Sequence, residues 1–178
     1  QVSKQGFTYV FDRVTGDPVW PIEERPVPQS DVPGEQTSPT QPFPTRPPAL
    51  TPTTGMSLDD AFDLTPALQA AARGAMQQLR FGPLYTPPSV ASFEGTLGTL
   101  HIPALTGGSN WPGGSFDPET GILYIPSITS PFVADIVEGN PDRTNLRYVK
   151  GSRQWIGGPR GLPLFKPPYG RGTAIDMN

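Results

Sequence analysis

Phe7, Tyr9 and Phe11 alternate with smaller or polar residues, so one face of a strand would carry three rings. Asp12-Arg-Val-Thr-Gly16 follows and predicts a turn, because Asp and Thr side chains bond nearby backbone and Gly tolerates positive φ. Pro18-Val19-Trp20 starts a return strand. The pattern predicts a β-hairpin ending on a large indole. A hairpin alone is marginal in water, so that indole needs a sheet to pack on. The same order of strand, Asp, Thr-Gly and return strand recurs at 115–127, around Asp117, Thr120 and Gly121. A partial copy, Gly172-Thr-Ala-Ile-Asp-Met-Asn178, has the strand and the Asp. Recurrent units of this kind predict an all-β fold, most simply a β-propeller. Unrelated hairpins sharing a short motif are the alternative.

Between the repeats the pattern changes twice. Residues 21–56 form a Pro-rich excursion with Ile22, Val27, Val32, Phe43 and Leu50 at irregular intervals. Spaced apolar anchors predict an ordered, extended segment pinned over a surface rather than a linker. Residues 57–82 form a helical insertion. Ser57-Leu-Asp-Asp60 reads as a cap on a short turn, and Thr65-Pro66 as N-cap and first residue of a longer helix. Leu68, Ala72, Ala75, Met76 and Leu79 share one helical face, and Gly82 is the expected stop. A strand with glycine interruptions is expected at 93–102, and 130–160 reads as polar, irregular connection anchored by Trp155.

Composition narrows the class. The 178 residues include 25 Pro and 20 Gly, which limits long helices and wide central strands. A net charge of −3 argues against a nucleic-acid partner, which would ask for a basic face. There is no Cys, so disulfides and thiolate metal sites are excluded within the chain. The chain starts at Gln1 and stops inside a repeat, so it is expected to be a segment of one domain, 1–178, cut at both ends.

Three places invite chemistry. Lys4 precedes the first strand and, on composition alone, is a solvated surface charge. His101 has no Cys or second His to complete a transition-metal set, and no Gly-x-Ser-x-Gly elbow accompanies it. Gly107-Gly-Ser-Asn-Trp-Pro-Gly-Gly114 lets backbone approach a ligand or another strand closely. It lacks phosphate-loop spacing. Asn110 and Trp111 suit a planar ligand with carbonyl and carboxylate groups, and a tight crossing between blades is equally open.

An ordered series of short motifs carries a family resemblance. It runs through Lys4-x-Gly6, Tyr9-Val-Phe-Asp-Arg13, Thr15-Gly16 and Pro18-Val-Trp-Pro21. It continues with Glu24-x-Pro-Val-Pro28, Pro39-Thr-Gln-Pro-Phe43, Tyr85-Thr-Pro-Pro-Ser89, Gly108-x-Asn-Trp111, Gly113-Gly114, Asp117-Pro118 and Pro168-Tyr-Gly…Ala-Ile-Asp176. Together these resemble the pyrroloquinoline-quinone (PQQ)-dependent dehydrogenases of the membrane-bound glucose, quinate and polyol type. The resemblance implies roughly three blade equivalents of an eight-bladed propeller joined by a tryptophan docking motif. It implies oxidation of a sugar, polyol or alcohol hydroxyl, with two electrons passing to PQQ and on to ubiquinone or cytochrome c. Lys4, Asn110 and Trp111 fall where the family contacts the cofactor. The catalytic Asp and the calcium ligands would precede Gln1, so the segment alone is expected to be inactive and to need the remaining blades. A periplasmic location is implied, open to membrane attachment through a region outside these residues. The rival reading is a non-catalytic propeller scaffold, which would need neither Lys4 nor the Asn-Trp pair.

Overall fold

A computed structural model describes residues 1–92, 95–152 and 156–178. Phe93 and Trp155, which carry the expected strand start and loop anchor, lie outside the described residues. Nine strands and one α-helix are present among the described residues: β1 Ile22–Pro26, β2 Thr40–Pro44, α1 Pro66–Met76, β3 Thr99–His101, β4 Ser115–Asp117, β5 Ile122–Ile128, β6 Phe132–Ala134, β7 Ile136–Glu138, β8 Tyr148–Lys150 and β9 Gly170–Asp176. They pair antiparallel as β1-β2, β3-β6, β7-β8 and the three-stranded β4-β5-β9. The mostly-strand character agrees with the expected class, and the described residues form no closed ring.

The two Asp…Thr-Gly turns are built alike. Asp12 Oδ1 accepts from the Val14 and Thr15 amides at 2.8 and 2.9 Å, and the Gly16 amide donates to the Asp12 carbonyl at 2.9 Å. Asp117 accepts from the Glu119 amide at 3.0 Å and the Thr120 hydroxyl at 2.6 Å, and the Gly121 amide donates to the Asp117 carbonyl at 2.9 Å. Gly16 and Gly121 both sit at positive φ, 81° and 72°, which is why glycine closes each turn. These hydrogen bonds hold both carboxyl groups below the usual range, led by the Thr15 amide at Asp12 and by the Thr120 hydroxyl at Asp117. The partial copy at the end of the chain does not open a separate sheet. It is β9, paired along its full length with β5 from Ile122↔Asp176 to Ile128↔Gly170. The Asn178 side chain closes that corner by donating to the Thr120 carbonyl at 3.1 Å.

The first aromatic face forms as its period predicts. Phe7 is buried and packs edge-on against Tyr9 and Phe43, at 6.1 and 5.4 Å between ring centroids, and Tyr9 stacks on Phe11 at 6.4 Å. Phe43 belongs to β2, so the Pro-rich excursion is ordered, as a β1-β2 hairpin rather than a single extended strap. Val32 and Leu50 are its buried anchors. Trp20 is half-buried.

Two departures from the sequence pattern share one cause. The Thr65 hydroxyl caps α1 by accepting from the Leu68 amide, yet the helix ends at Met76 instead of running to Gly82. Beyond Met76, the backbone of Gln78 and Arg80 pairs with Leu97, Gly98 and Leu100 at 2.8–2.9 Å, so sheet-like bonding replaces the helical ladder. The stretch read as irregular connection contains β6, β7 and β8. Its Phe132-Val-Ala-Asp-Ile-Val run is β-prone, and its polar neighbours masked it. Phe132 and Val133 are core residues.

Helix and sheet meet in one core of Ala61, Ala72, Met76, Leu79, Leu100, Ile102, Val133, Leu164 and Phe165. A second, smaller core joins Val2, Leu50, Ile125 and Ile175, and so ties the segment before the Lys4 turn to β5 and β9. Burying each of the larger side chains contributes about 1.5–3 kcal/mol. His101 stands at the edge of the first core. Its Nε2 is buried without a hydrogen-bond partner, and burial pushes its pKa below the usual 6.5. The unfolded chain therefore takes up a proton near pH 6.5, whereas the folded chain resists it until lower pH. Stability from this group is full above that range and declines as pH falls through it. A His101→Gln variant is expected to lose this component of the slope of unfolding free energy as pH falls below about 6.5. Denaturant titrations across that range check it, and an unchanged slope would remove His101 as the cause.

Candidate functional site

Lys4 does not lead straight into a strand; it occupies the tip of a tight turn. The Gly6 amide donates to the Ser3 carbonyl at 3.0 Å, and Val2 and Thr8 bridge antiparallel on either side. Gly6 has φ +82° and closes the turn. The side chain of Lys4 is exposed, as expected for an ammonium at a turn tip.

The loop that carries Asn110 and Trp111 lies directly against this turn. The Gly108 amide donates to the Lys4 carbonyl at 2.9 Å. On the other side, the Ile128 amide donates to the Gly108 carbonyl at 2.6 Å and the Ser109 hydroxyl to the Pro126 carbonyl at 3.1 Å. The loop is thus stitched between the Lys4 turn and β5. Asn110 fixes its shape: Nδ2 donates to the Thr106 carbonyl at 2.8 Å, and Oδ1 accepts from the Trp111 amide at 3.0 Å. One N–H and one lone pair of that amide remain for other partners. Trp111 is 84% exposed, an uncommon state for so large an apolar surface.

These three residues line one cleft of about 550 Å³, with Tyr9, Phe11 and Pro42 among its other walls. The volume falls within the range of small-molecule sites. Tyr9 and Phe11 present their stacked rings, 17° from parallel. The Tyr9 hydroxyl donates to the Pro42 carbonyl at 3.2 Å, and burial raises its pKa. Among the described residues the lining carries an ammonium and no carboxylate side chain, so the local field favours an anion. Flat aromatic walls, an open indole and a lone cation suit a planar, negatively charged ligand. The sequence pattern marks Tyr9 and Phe11 only as rings on one face of an expected strand, and no local signal says that they border a cleft; the stretch forms isolated bridges, Val2↔Thr8 and Phe11↔Pro18, rather than a regular strand. No group of three or more His, Asp or Glu side chains among the described residues is arranged to hold a metal ion. A larger groove of about 620 Å³ lies elsewhere, among Val32, Phe132, Ile136, Leu146 and Tyr148, and contains none of the three.

Comparison with known proteins gives a consistent set of relatives. The family model described as glucose/ethanol/alcohol dehydrogenase, beta-propeller domain, with the label PQQ, matches residues 1–178. The chain is 30% identical to the quinate/shikimate dehydrogenase (quinone) of Acinetobacter baylyi, over 98% of this chain and 23% of that protein. It is 31% identical to the glycerol dehydrogenase large subunit of Gluconobacter thailandicus, over 98% of this chain and 26% of the relative. It is 30% identical to the quinoprotein glucose dehydrogenase of Escherichia coli, over 98% of this chain and 23% of the relative. The chain thus spans about a quarter of the length of each of these relatives. No solved structure gives a significant match.

Proposed function

This chain belongs to the glucose/ethanol/alcohol dehydrogenase β-propeller family, and from that premise we propose that it forms one wall of the PQQ site in a quinoprotein dehydrogenase. The whole protein would oxidise a hydroxyl of a sugar, polyol or cyclic hydroxy acid, the substrate types in the names of its relatives. The observation that supports this reading is the single cleft uniting Lys4 with the adjacent pair Asn110 and Trp111, far from it in sequence and brought to it by the Gly108–Lys4 backbone bond.

PQQ is planar and anionic, and the cleft's cation, flat aromatic walls and lack of acid side chains fit it. When bound, PQQ supplies a two-electron acceptor. Lys4 would hold its oxygens and stabilise negative charge there as electrons arrive. Trp111 would offer a face for stacking, and Tyr9 and Phe11 would keep water from that side. Asn110 holds the loop in shape through Thr106 and has one donor left for the ligand. The described residues supply no calcium ligand set. On this reading calcium and the catalytic base would come from other parts of the protein. The same reading places the protein in the periplasm, with ubiquinone or cytochrome c as electron acceptor and further blades completing the ring. No helix among the described residues is long and apolar enough to cross a membrane. Within the chain, 21–56 is read as a Pro-rich excursion and 57–82 as a helical insertion on one propeller domain.

The test is reconstitution of the intact protein with PQQ and calcium, followed by dye reduction with glucose, glycerol and quinate. Substrate-dependent reduction that requires added PQQ is expected. Failure of the intact protein to bind PQQ in an absorbance titration would overturn the reading and leave the scaffold alternative standing.

A further inference from the structure

The glycines of the Asn-Trp loop raise a question that ligand access does not answer: what do they approach? Gly107 approaches Lys4. A Cβ on Gly107 would lie 2.8 Å from the Lys4 Cα, 2.8 Å from its Cγ and 2.9 Å from its Cβ. Real Cβ atoms do not come so close, so the neighbour would have to move. Gly107 also sits at φ +91°, where its amide donates to the Ala104 carbonyl at 2.7 Å. The next residue, Gly108, donates to the Lys4 carbonyl and is itself packed on Thr51, whose Cγ2 lies 2.6 Å from where a Gly108 Cβ would be. Thr51 in turn fills the space beside Gly6, the residue that closes the Lys4 turn. The Lys4 end of the turn tip is therefore seated directly on two adjacent side-chain-free residues, and the Gly6 end reaches Gly108 through Thr51.

We propose that Gly107 and Gly108 act as a backbone clasp, positioning residues that set where the Lys4 amine stands relative to the Trp111 indole; this rests on the reading of the cleft as a PQQ site. The logic is geometric. Trp111 follows Gly107 by four positions, and the intervening loop is stiffened by Asn110 and anchored to β5 through Gly108 and Ser109. The loop cannot give way easily toward β5. A side chain at 107 must therefore displace the Lys4 turn, and the ammonium moves with it. The glycines widely spaced from this contact have no such role: a Cβ on Gly113, also at positive φ, would meet only the Trp111 carbonyl oxygen, at 4.0 Å.

The test is a double-mutant cycle in the intact protein, read as PQQ affinity by quenching of indole fluorescence. Gly107→Ala is expected to weaken PQQ binding about tenfold in the wild-type background, and less than about threefold once Lys4→Ala has removed the ammonium. Gly113→Ala carries a comparable backbone strain and is expected to weaken binding less than about threefold. Equal losses from Gly107→Ala in both backgrounds, or equal losses from Gly113→Ala, would overturn the clasp. If Gly107→Ala protein does not fold, Lys4→Gly is added, which removes the Cβ and Cγ that the new methyl strikes and leaves only the approach to the Lys4 Cα; partial recovery of the denaturation midpoint is expected, and no recovery counts against the contact. A wild-type protein that fails to bind PQQ overturns the cofactor reading and the clasp together. A wild-type protein that binds PQQ, loses affinity with Lys4→Ala and ignores Gly107→Ala overturns the clasp alone.

Discussion

Lys4→Ala in the PQQ-loaded intact protein is expected to lower kcat on the order of 10²-fold or more, the scale seen when one donor to a developing anion is removed. Among the described residues Lys4 is the only cationic side chain lining the cleft. On the proposed reading the Lys4 ammonium would stabilise negative charge as PQQ takes up electrons, so its loss would be felt more in the transition state than in the ground state. Such an interaction lowers kcat when lost and leaves KM for the alcohol nearly unchanged. Cofactor affinity should fall as well, so turnover must be measured at saturating PQQ. Lys4→Arg keeps the charge but swaps a compact ammonium for a planar fork, and intermediate activity is expected. A structural role predicts a different pattern. The Lys4 side chain is exposed, and its carbonyl bond to Gly108 survives truncation. Stability of Lys4→Ala should therefore stay within about 0.5 kcal/mol of wild type. Full activity at saturating PQQ would remove Lys4 from the chemistry, and a large stability loss would recast it as a folding residue.

What the sequence disclosed, and what it hid, follows from how local each feature is. The Asp…Thr-Gly turns are legible because their bonds run among neighbours: Asp12 to Val14 and Thr15, Asp117 to Glu119 and Thr120. The helix start is legible for the same reason, since Thr65 caps Leu68. The helix end is not, because Gln78 and Arg80 are claimed by strand partners near 97–100 that no local rule reveals. Lys4, Asn110 and Trp111 could be named from an ordered series of motifs. Their convergence could not, because it depends on the Gly108–Lys4 bond across more than half the chain. The glycine-rich stretch is open in sequence between ligand approach and a tight crossing; the structure shows the close approach of backbone, Gly107 packing on the Lys4 turn beside the cleft that Lys4, Asn110 and Trp111 line.

Met76→Ala is expected to reduce the free energy of unfolding by about 2–5 kcal/mol, the range for truncating a fully buried large aliphatic side chain. Met76 has no exposed surface, and it ends α1 in the core that holds Leu100 and Val133 of the β3-β6 pair, Ile102 just past β3, and Leu164 and Phe165. Two terms add: the transfer energy of the lost atoms and the contacts forfeited around the void. Met76→Leu nearly conserves volume and should cost less than about 1.5 kcal/mol. Leu64→Ala, at a residue that is 72% exposed just before the helix, should change stability by no more than about 0.5 kcal/mol. Urea denaturation of the intact protein, followed by circular dichroism, separates the three. The consequence for the site is specific. Ile102 of the same core leads directly into the Pro103–Trp111 loop, so the loop's entry is held by the helix insertion. Well below the unfolding transition, PQQ affinity of Met76→Ala should match wild type, because no cleft residue touches the void. As urea approaches the transition, affinity should fall earlier than in wild type, since the strand that launches the loop loosens first. A Met76→Ala protein as stable as Met76→Leu would mean that the helix does not brace that strand, and the insertion would then be a surface ornament on the cleft-bearing sheets.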